Sequence, residues 1–237
     1  MNINIIIITF IMVVMNVYIY FLIEYEFNNI TTSLENDGYI LVENIKNKEE
    51  LLKFLPKDYV FLNYFYEIKG CTLSTFHRDV TSSQYEFKTK HPIYTALTYF
   101  NDGNLLSVCP SSHKTVPYLY TNPITINGKN GNFILFNCDL VHAGAINDFY
   151  EKRHAIQYKI AHIEDLNKLQ HLNEIHKIES GDCKKKSKSY ELFCRHMSLL
   201  FCHFINHKMT KYLQDNDNTF ISNLLIWIYG GKPFYNK

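Results

Sequence analysis

Between residues 39 and 163 the chain is a succession of short apolar or aromatic runs cut by turns, with no helix-length pattern recurring between them. The runs are Tyr39–Val42, Tyr59–Ile68, Pro92–Phe100, Leu105–Val108, Ile124–Ile126, Asn132–Phe136, Val141–Ile146 and Arg153–Ile163. Asp37-Gly38, Asn101-Asp102-Gly103-Asn104 and Asn127-Gly128 supply the turns. Parallel α/β sheets need a crossover helix between strands, so this pattern predicts a mainly β sandwich or barrel. Hydrophobic residues make up 46% of the 237 residues and aromatics 15%, enough to fill such a core.

The sequence divides into three stretches. Residues 3–23 carry no charged side chain. About 21 residues at ~1.5 Å each match the thickness of a bilayer core, which predicts a single-pass membrane anchor within residues 1–29. No Lys or Arg precedes the run and no Ala-x-Ala site follows it, so it does not read as a cleaved signal peptide. The first lysine is Lys46, so loop charge does not orient the segment. Residues 30–163 form the β-rich domain, with a short helix expected near Thr31–Asn36 and another over Lys48–Leu55, stopped by Pro56. Residues 164–237 change character. Glu164–Ile178 is polar and helix-friendly, Lys188–Leu213 has apolar residues at helical spacing, and Thr219–Tyr229 is apolar but too short to span. Two or three helices are expected there.

The net charge of +1 gives no electrostatic footprint for nucleic acid. The Lys184–Lys186 run with Lys188 reads as a solvated loop. Six cysteines (Cys71, Cys109, Cys138, Cys183, Cys194 and Cys202) show no Cys-x-x-Cys spacing and read as mostly buried thiols. On the C-terminal helix, Cys194, His196, Cys202, His203 and His207 lack a second spaced ligand pair, so they read as core thiols and surface imidazoles. His113 is expected to order its own loop.

The chemistry-bearing stretch is LSTFHRDVTSS. Read as a strand, it sends His77 and Asp79 to one face and Arg78 to the other. An imidazole and a carboxylate side by side are two-thirds of a 2-His-1-carboxylate site, which holds Fe(II) on one face and leaves the opposite positions open. His142 supplies the third ligand, 63 residues beyond Asp79 (142 − 79), just past the NFILF strand. A dianionic cosubstrate such as 2-oxoglutarate needs a fork of donors at its far carboxylate. Arg153 provides one, 11 residues beyond His142 (153 − 142), at the head of RHAIQYKI. Alternation places Arg153, Ala155 and Gln157 on one face of that strand and His154, Ile156, Tyr158 and Ile160 on the other.

Together these motifs resemble the phytanoyl-CoA dioxygenase family of Fe(II)- and 2-oxoglutarate-dependent dioxygenases. DGYILVENI, FHRD, YTALTYF, LLSVCPSSHK, GNFILFNCDLVHAGAIN and RHAIQYKI follow the family's order over residues 33–163. Ser111 stands where the family has Gly, and Asn132 where it has Asp. The resemblance implies a double-stranded β-helix (jelly-roll or cupin-like) with flanking helices and the iron in its mouth. It implies Fe(II) on His77, Asp79 and His142, 2-oxoglutarate on Arg153 with contacts from Tyr94 and Thr95, and O2 as co-reactant. The implied reaction is hydroxylation of a small-molecule or acyl C–H bond with release of succinate and CO2. Related halogenases lack the carboxylate ligand, whereas Asp79 is present. Two other readings use the same sequence: a dioxygenase-fold binding module without activity, and a membrane-anchored structural protein. The loops Val80–Lys90 and Lys114–Pro123 are where selectivity is expected.

Overall fold

The computed structural model describes residues 25–26, 32–70, 75–116, 121–146, 153–180, 192, 195–199 and 202. The expected membrane anchor at residues 3–23 lies outside them, as do the lysine run and the segment 219–229. Among the described residues no helix is long and apolar enough to cross a membrane.

Eleven strands among the described residues form two facing sheets. The larger runs β11 (Ile175–Ser180), β4 (Tyr64–Gly70), β10 (Arg153–His162), β5 (Tyr94–Tyr99), β8 (Phe133–Asn137) and β2 (Tyr39–Val42), with β3 (Tyr59–Phe61) also on β10. The smaller runs β1 (Tyr25–Glu26), β7 (Ile124–Gly128), β6 (Gly103–Val108) and β9 (His142–Gly144). Pairing is antiparallel except β1 with β7 and β11 with β4. The fold is a mainly β jelly roll, the double-stranded β-helix that the motifs implied.

Period-two alternation builds the interior. Leu97 and Tyr99 of β5, Ile134 and Phe136 of β8 and Ala155 of β10 meet Leu106 and Val108 of β6 and Ile126 of β7 between the sheets. The opposite face of the large sheet buries Tyr94, Ala96, Leu135 and Ile160 under Leu51 of a 3-10 helix, Lys48–Phe54. Burying a side chain of Leu or Phe size contributes about 1.5–3 kcal/mol, so both faces of this sheet stabilise it.

Four local expectations change. In place of the expected short helix, the described residues from 32 lead into a turn: Asp37 Oδ2 accepts from the Ser33 backbone N–H at 2.8 Å and the Ser33 carbonyl accepts from the Asp37 N–H at 2.9 Å. Side chains that bond their own backbone compete with helix formation. Tyr59–Ile68 is not one strand but two, β3 and β4, broken at Leu62-Asn63, where Leu62 N–H donates to the Lys159 carbonyl. His77 forms an isolated bridge with His142, and Asp79 follows outside any strand rather than in a continuous one. Glu164–Ile178 is not a helix throughout. A 3-10 stretch (Ile163–Leu172) ends at Asn173, Glu174 adopts φ 64°, and β11 pairs with β4. Leu169, Leu172 and Ile175 are buried with Tyr64 and Ala161, so β11 continues the large sheet past residue 163. Sequence periodicity does not reveal this, because Ile175 is buried while Ile178 is 64% exposed, so the apolar positions of the segment do not alternate with its covered side.

The turn before β2 depends on Gly38. Its φ of +85° favours glycine, and a Cβ there would lie 2.5 Å from His113 Nδ1 and 2.9 Å from Leu140 Cδ1. Gly38→Ala is therefore expected to cost more than about 2 kcal/mol, a fall in Tm of at least ~4 °C. Thermal denaturation of the variant measures it, and an unchanged Tm would show that the turn tolerates a side chain.

Candidate metal centre

Two backbone hydrogen bonds bring the first and third ligand candidates together. His77 N–H donates to the His142 carbonyl and His142 N–H to the His77 carbonyl, each at 2.9 Å. Asp79 is fixed by its own N–H donating to the Cys138 carbonyl at 2.9 Å, at the end of β8. Residues 77 and 79 project to one side and Arg78 to the other, as alternation requires. Arg78 is fully buried, donating from Nε to the Asp139 carbonyl (2.8 Å) and from Nη2 to the Ser112 carbonyl (3.0 Å). It thereby clamps the PSSHK loop and the β8–β9 turn behind the site, and burial lowers its pKa.

His77 Nε2 lies 3.8 Å and His142 Nε2 3.6 Å from Asp79 Oδ1, and the three ligand atoms fall within 4.8 Å of one another. Cis ligands at ~2.1 Å on an octahedral ion stand on the order of 3 Å apart, so a small contraction would close the set on a divalent ion. The outer partners make the donor set fit. His77 Nδ1 faces the Thr75 carbonyl at 2.8 Å and His142 Nδ1 the Leu140 carbonyl at 2.9 Å. A carbonyl can only accept, so each Nδ1 carries the proton and each Nε2 presents its lone pair. Asp79 Oδ2 is engaged instead by Lys159 Nζ (2.5 Å), Thr95 Oγ1 (2.8 Å) and Gln157 Nε2 (3.2 Å). Only Oδ1 is left to face the imidazoles. The His77 side chain is 39% exposed and that of His142 6%, so the site opens on the His77 side.

Burial dominates the His142 imidazole and, with His77 beside it, depresses its pKa to about 3, so it is neutral and able to ligate. Burial alone would raise the Asp79 carboxyl. The Lys159 ammonium, followed by the two imidazoles, outweighs it and holds the group well below the usual carboxylate range.

Arg153 lies at the head of β10 on its inner face. Nη2 donates to Tyr99 Oη at 3.3 Å, and the guanidinium carbon sits 5.6 Å from the Tyr99 ring centroid. Arg153 Nε is buried without an acceptor among the described residues, so the guanidinium has donor capacity to spare. The expected pair at Tyr94 and Thr95 divides. Thr95 points inward and holds Asp79. Tyr94 points to the outer face, packing edge-on against Tyr59 at 5.5 Å within the cluster around Leu51. Adjacent strand residues face opposite sides, so a cosubstrate contact from the Tyr94 side chain is corrected. Sequence reading missed Lys159 and Tyr99, although the same alternation puts Lys159 in line with Arg153 and Gln157.

A second His/Glu group, His91, His162 and Glu164, is a structural clasp. The two rings stack at 3.7 Å with planes 29° apart, so their in-plane lone pairs cannot both aim at one ion. Lys90 Nζ already lies 2.6 Å from Glu164 Oε2. His113 bonds the Glu35 carbonyl at 3.2 Å and orders its loop. Ser111 takes the left-handed conformation (φ 63°), where the related motif has glycine, and its Oγ donates to the Asn36 carbonyl at 2.8 Å. Asn132 Oδ1 accepts from the Lys129 N–H at 2.6 Å, a turn-closing role open equally to Asp. Of the C-terminal Cys/His group, Cys194, His203 and His207 lie outside the described residues. Cys202 is a buried free thiol beside Arg78.

No family model matches the chain, and no curated protein matches it in sequence. Solved structures similar to it include the non-heme α-ketoglutarate-dependent epimerase SnoN from nogalamycin biosynthesis, at 12% identity over 54% of this chain and 79% of that one, TM-score 0.41. The α-ketoglutarate-dependent carbocyclase SnoK matches at 12% identity over 54% and 80%, TM-score 0.39. EctD from S. alaskensis, solved with 2-oxoglutarate and 5-hydroxyectoine, matches at 15% identity over 60% and 80%, TM-score 0.39. SnoN has also been solved with Fe3+ and α-ketoglutarate.

The electrostatics set a pH dependence. Unfolded, His142 binds its proton near ~6.5, whereas folded it does so only near about 3. Across that window the unfolded chain holds more protons, so stability falls as pH falls. Asp79 acts in the same sense: the stability from its depressed pKa is present above ~3.9 and is lost below. Urea midpoints of the metal-free protein should decline from pH 7.5 to 4.5, and His142→Asn should flatten the decline. A variant slope as steep as that of wild type would assign the linkage to another group.

Proposed function

We propose that the chain is an Fe(II)- and 2-oxoglutarate-dependent dioxygenase that hydroxylates a C–H bond of a small-molecule or acyl substrate. The observation that supports this most is the donor set: three lone pairs on one side of His77, Asp79 and His142, with every other polar atom of the three side chains already engaged. Bound there, Fe(II) with O2 and 2-oxoglutarate would supply the oxidant for a C–H bond, giving alcohol, succinate and CO2. The residues do the rest. His77 and His142 present fixed tautomers, Asp79 offers a single oxygen, and Arg153 receives the far carboxylate of the cosubstrate with Tyr99 holding its guanidinium.

The six ordered motifs favour the phytanoyl-CoA dioxygenase family within this class. The presence of Asp79 favours hydroxylation over halogenation, since a carboxylate occupies the position a halide would need. The charge-free run 3–23 favours a membrane-tethered enzyme. Nothing in Val80–Lys90 identifies an acyl-CoA surface, so the substrate stays at the level of its C–H bond.

With Fe(II) and 2-oxoglutarate, the full chain should form succinate, slowly without substrate. His142→Ala should lose both metal binding and turnover. Arg153→Ala should raise the KM for 2-oxoglutarate by 10-fold or more, since a charge-assisted bond contributes about 1.5–3 kcal/mol. Succinate formation by His142→Ala would remove that residue from the metal set. Metal binding without turnover in wild type would support the inactive binding module instead.

A further inference from the structure

Lysine is almost never fully buried unless paired, yet Lys159 is 0% exposed in the middle of β10. Its ammonium lies 2.5 Å from Asp79 Oδ2 and 2.8 Å from Thr95 Oγ1, which itself donates to the same carboxylate oxygen. The stem passes Tyr64, with Nζ 5.8 Å from that ring's centroid, and Cys138 Sγ is 3.7 Å from Nζ. An apolar residue here would pack at lower cost, because burying an ammonium is unfavourable unless a partner compensates. The partner is the carboxylate offered to the metal.

We infer that Lys159 is the built-in counter-charge of the metal centre, an inference that rests on the metal reading above. Without an ion, the ammonium neutralises a buried carboxylate whose other close partners, Thr95, Gln157 and the two imidazoles, bring hydrogen bonds but no fixed positive charge. With an ion, it keeps Oδ2 occupied, so that Asp79 binds through Oδ1 alone. It also cancels the carboxylate's charge. A divalent ion, one carboxylate and one ammonium sum to about two positive charges, which suits a dianionic cosubstrate and disfavours a neutral or cationic chelator. Lys159 is thus a positioning residue, trading affinity for the metal against a folded metal-free state and a site charged for a dianion.

Thr95 and Gln157 would still hold Oδ2 if the ammonium were removed, so the geometry should survive while the charge changes. The test uses the full chain with Mn(II) as probe and compares wild type with Lys159→Met and Lys159→Gln, the latter keeping a neutral donor. Calorimetry and the Mn(II) EPR signal of free ion give affinity; thermal denaturation with and without Mn(II) gives stability. Both variants should bind Mn(II) at least tenfold more tightly. Both should lose stability when metal-free and regain most of it with metal. Asp79→Asn/Lys159→Met, which removes both charges, should be more stable without metal than Lys159→Met. Affinity unchanged or weakened in both variants, with equal loss of Tm in either state, would make Lys159 a packing residue only. Wild type that binds no Mn(II) would instead overturn the metal reading itself, so the two failures are distinguishable. If Lys159→Met does not fold, Lys159→Gln carries the affinity comparison.

Discussion

The reciprocal pair of backbone hydrogen bonds between His77 and His142 is the constraint on which the rest depends. Each closes at 2.9 Å, and together they tie a segment from the middle of the chain to a strand that begins far later. With the Asp79 N–H donating to the Cys138 carbonyl, main-chain bonds alone give the three side chains a common side. The site is therefore made by main-chain geometry first, and side-chain chemistry is laid upon it.

Around that frame the interior is polar where a jelly roll is usually greasy. Asp79, Thr95, Gln157 and Lys159 form one connected set, and each is buried or nearly so. A half-satisfied network of this kind would cost more than an apolar core. Here the ammonium, hydroxyl and amide converge on one carboxylate oxygen and leave the other for the imidazoles. On the far side Arg78, buried and bonded to carbonyls, fixes the turn that carries His142. The C-terminal segment adds a further brace: Ser198 Oγ accepts from the Phe76 N–H at 2.8 Å, and Arg195 donates to the Gly144 carbonyl at 2.8 Å. Leu199 and Cys202 pack with Phe76, Val141 and Ala143. Residues beyond the β domain thus hold the back of the site rather than merely following it.

Much of the site was legible because strand alternation is a local property. The faces of RHAIQYKI, the division of His77 and Asp79 from Arg78, and the outer apolar face of β10 all follow from a period of two. The same rule argued against a Tyr94 contact, since adjacent Tyr94 and Thr95 cannot both face the cosubstrate, and the motif's chemistry masked that. The extension of the sheet to β11 was not legible. A single edge strand after a 3-10 turn shows neither helical nor strand periodicity strongly, and its partner β4 lies more than a hundred residues earlier.

The β class, the turn at Asp37-Gly38 and the three candidate ligand residues with the arginine were readable along the chain, because spacing and residue chemistry are local; Asn127-Gly128, expected as a turn, instead closes β7. What each polar side chain opposes is set by how the strands pair. That Lys159 lies against Asp79, that Tyr99 holds Arg153, and that both imidazoles are locked in one tautomer depend on pairing between distant strands. Such pairing is a sum of many weak long-range contacts, and no single stretch of the chain encodes it.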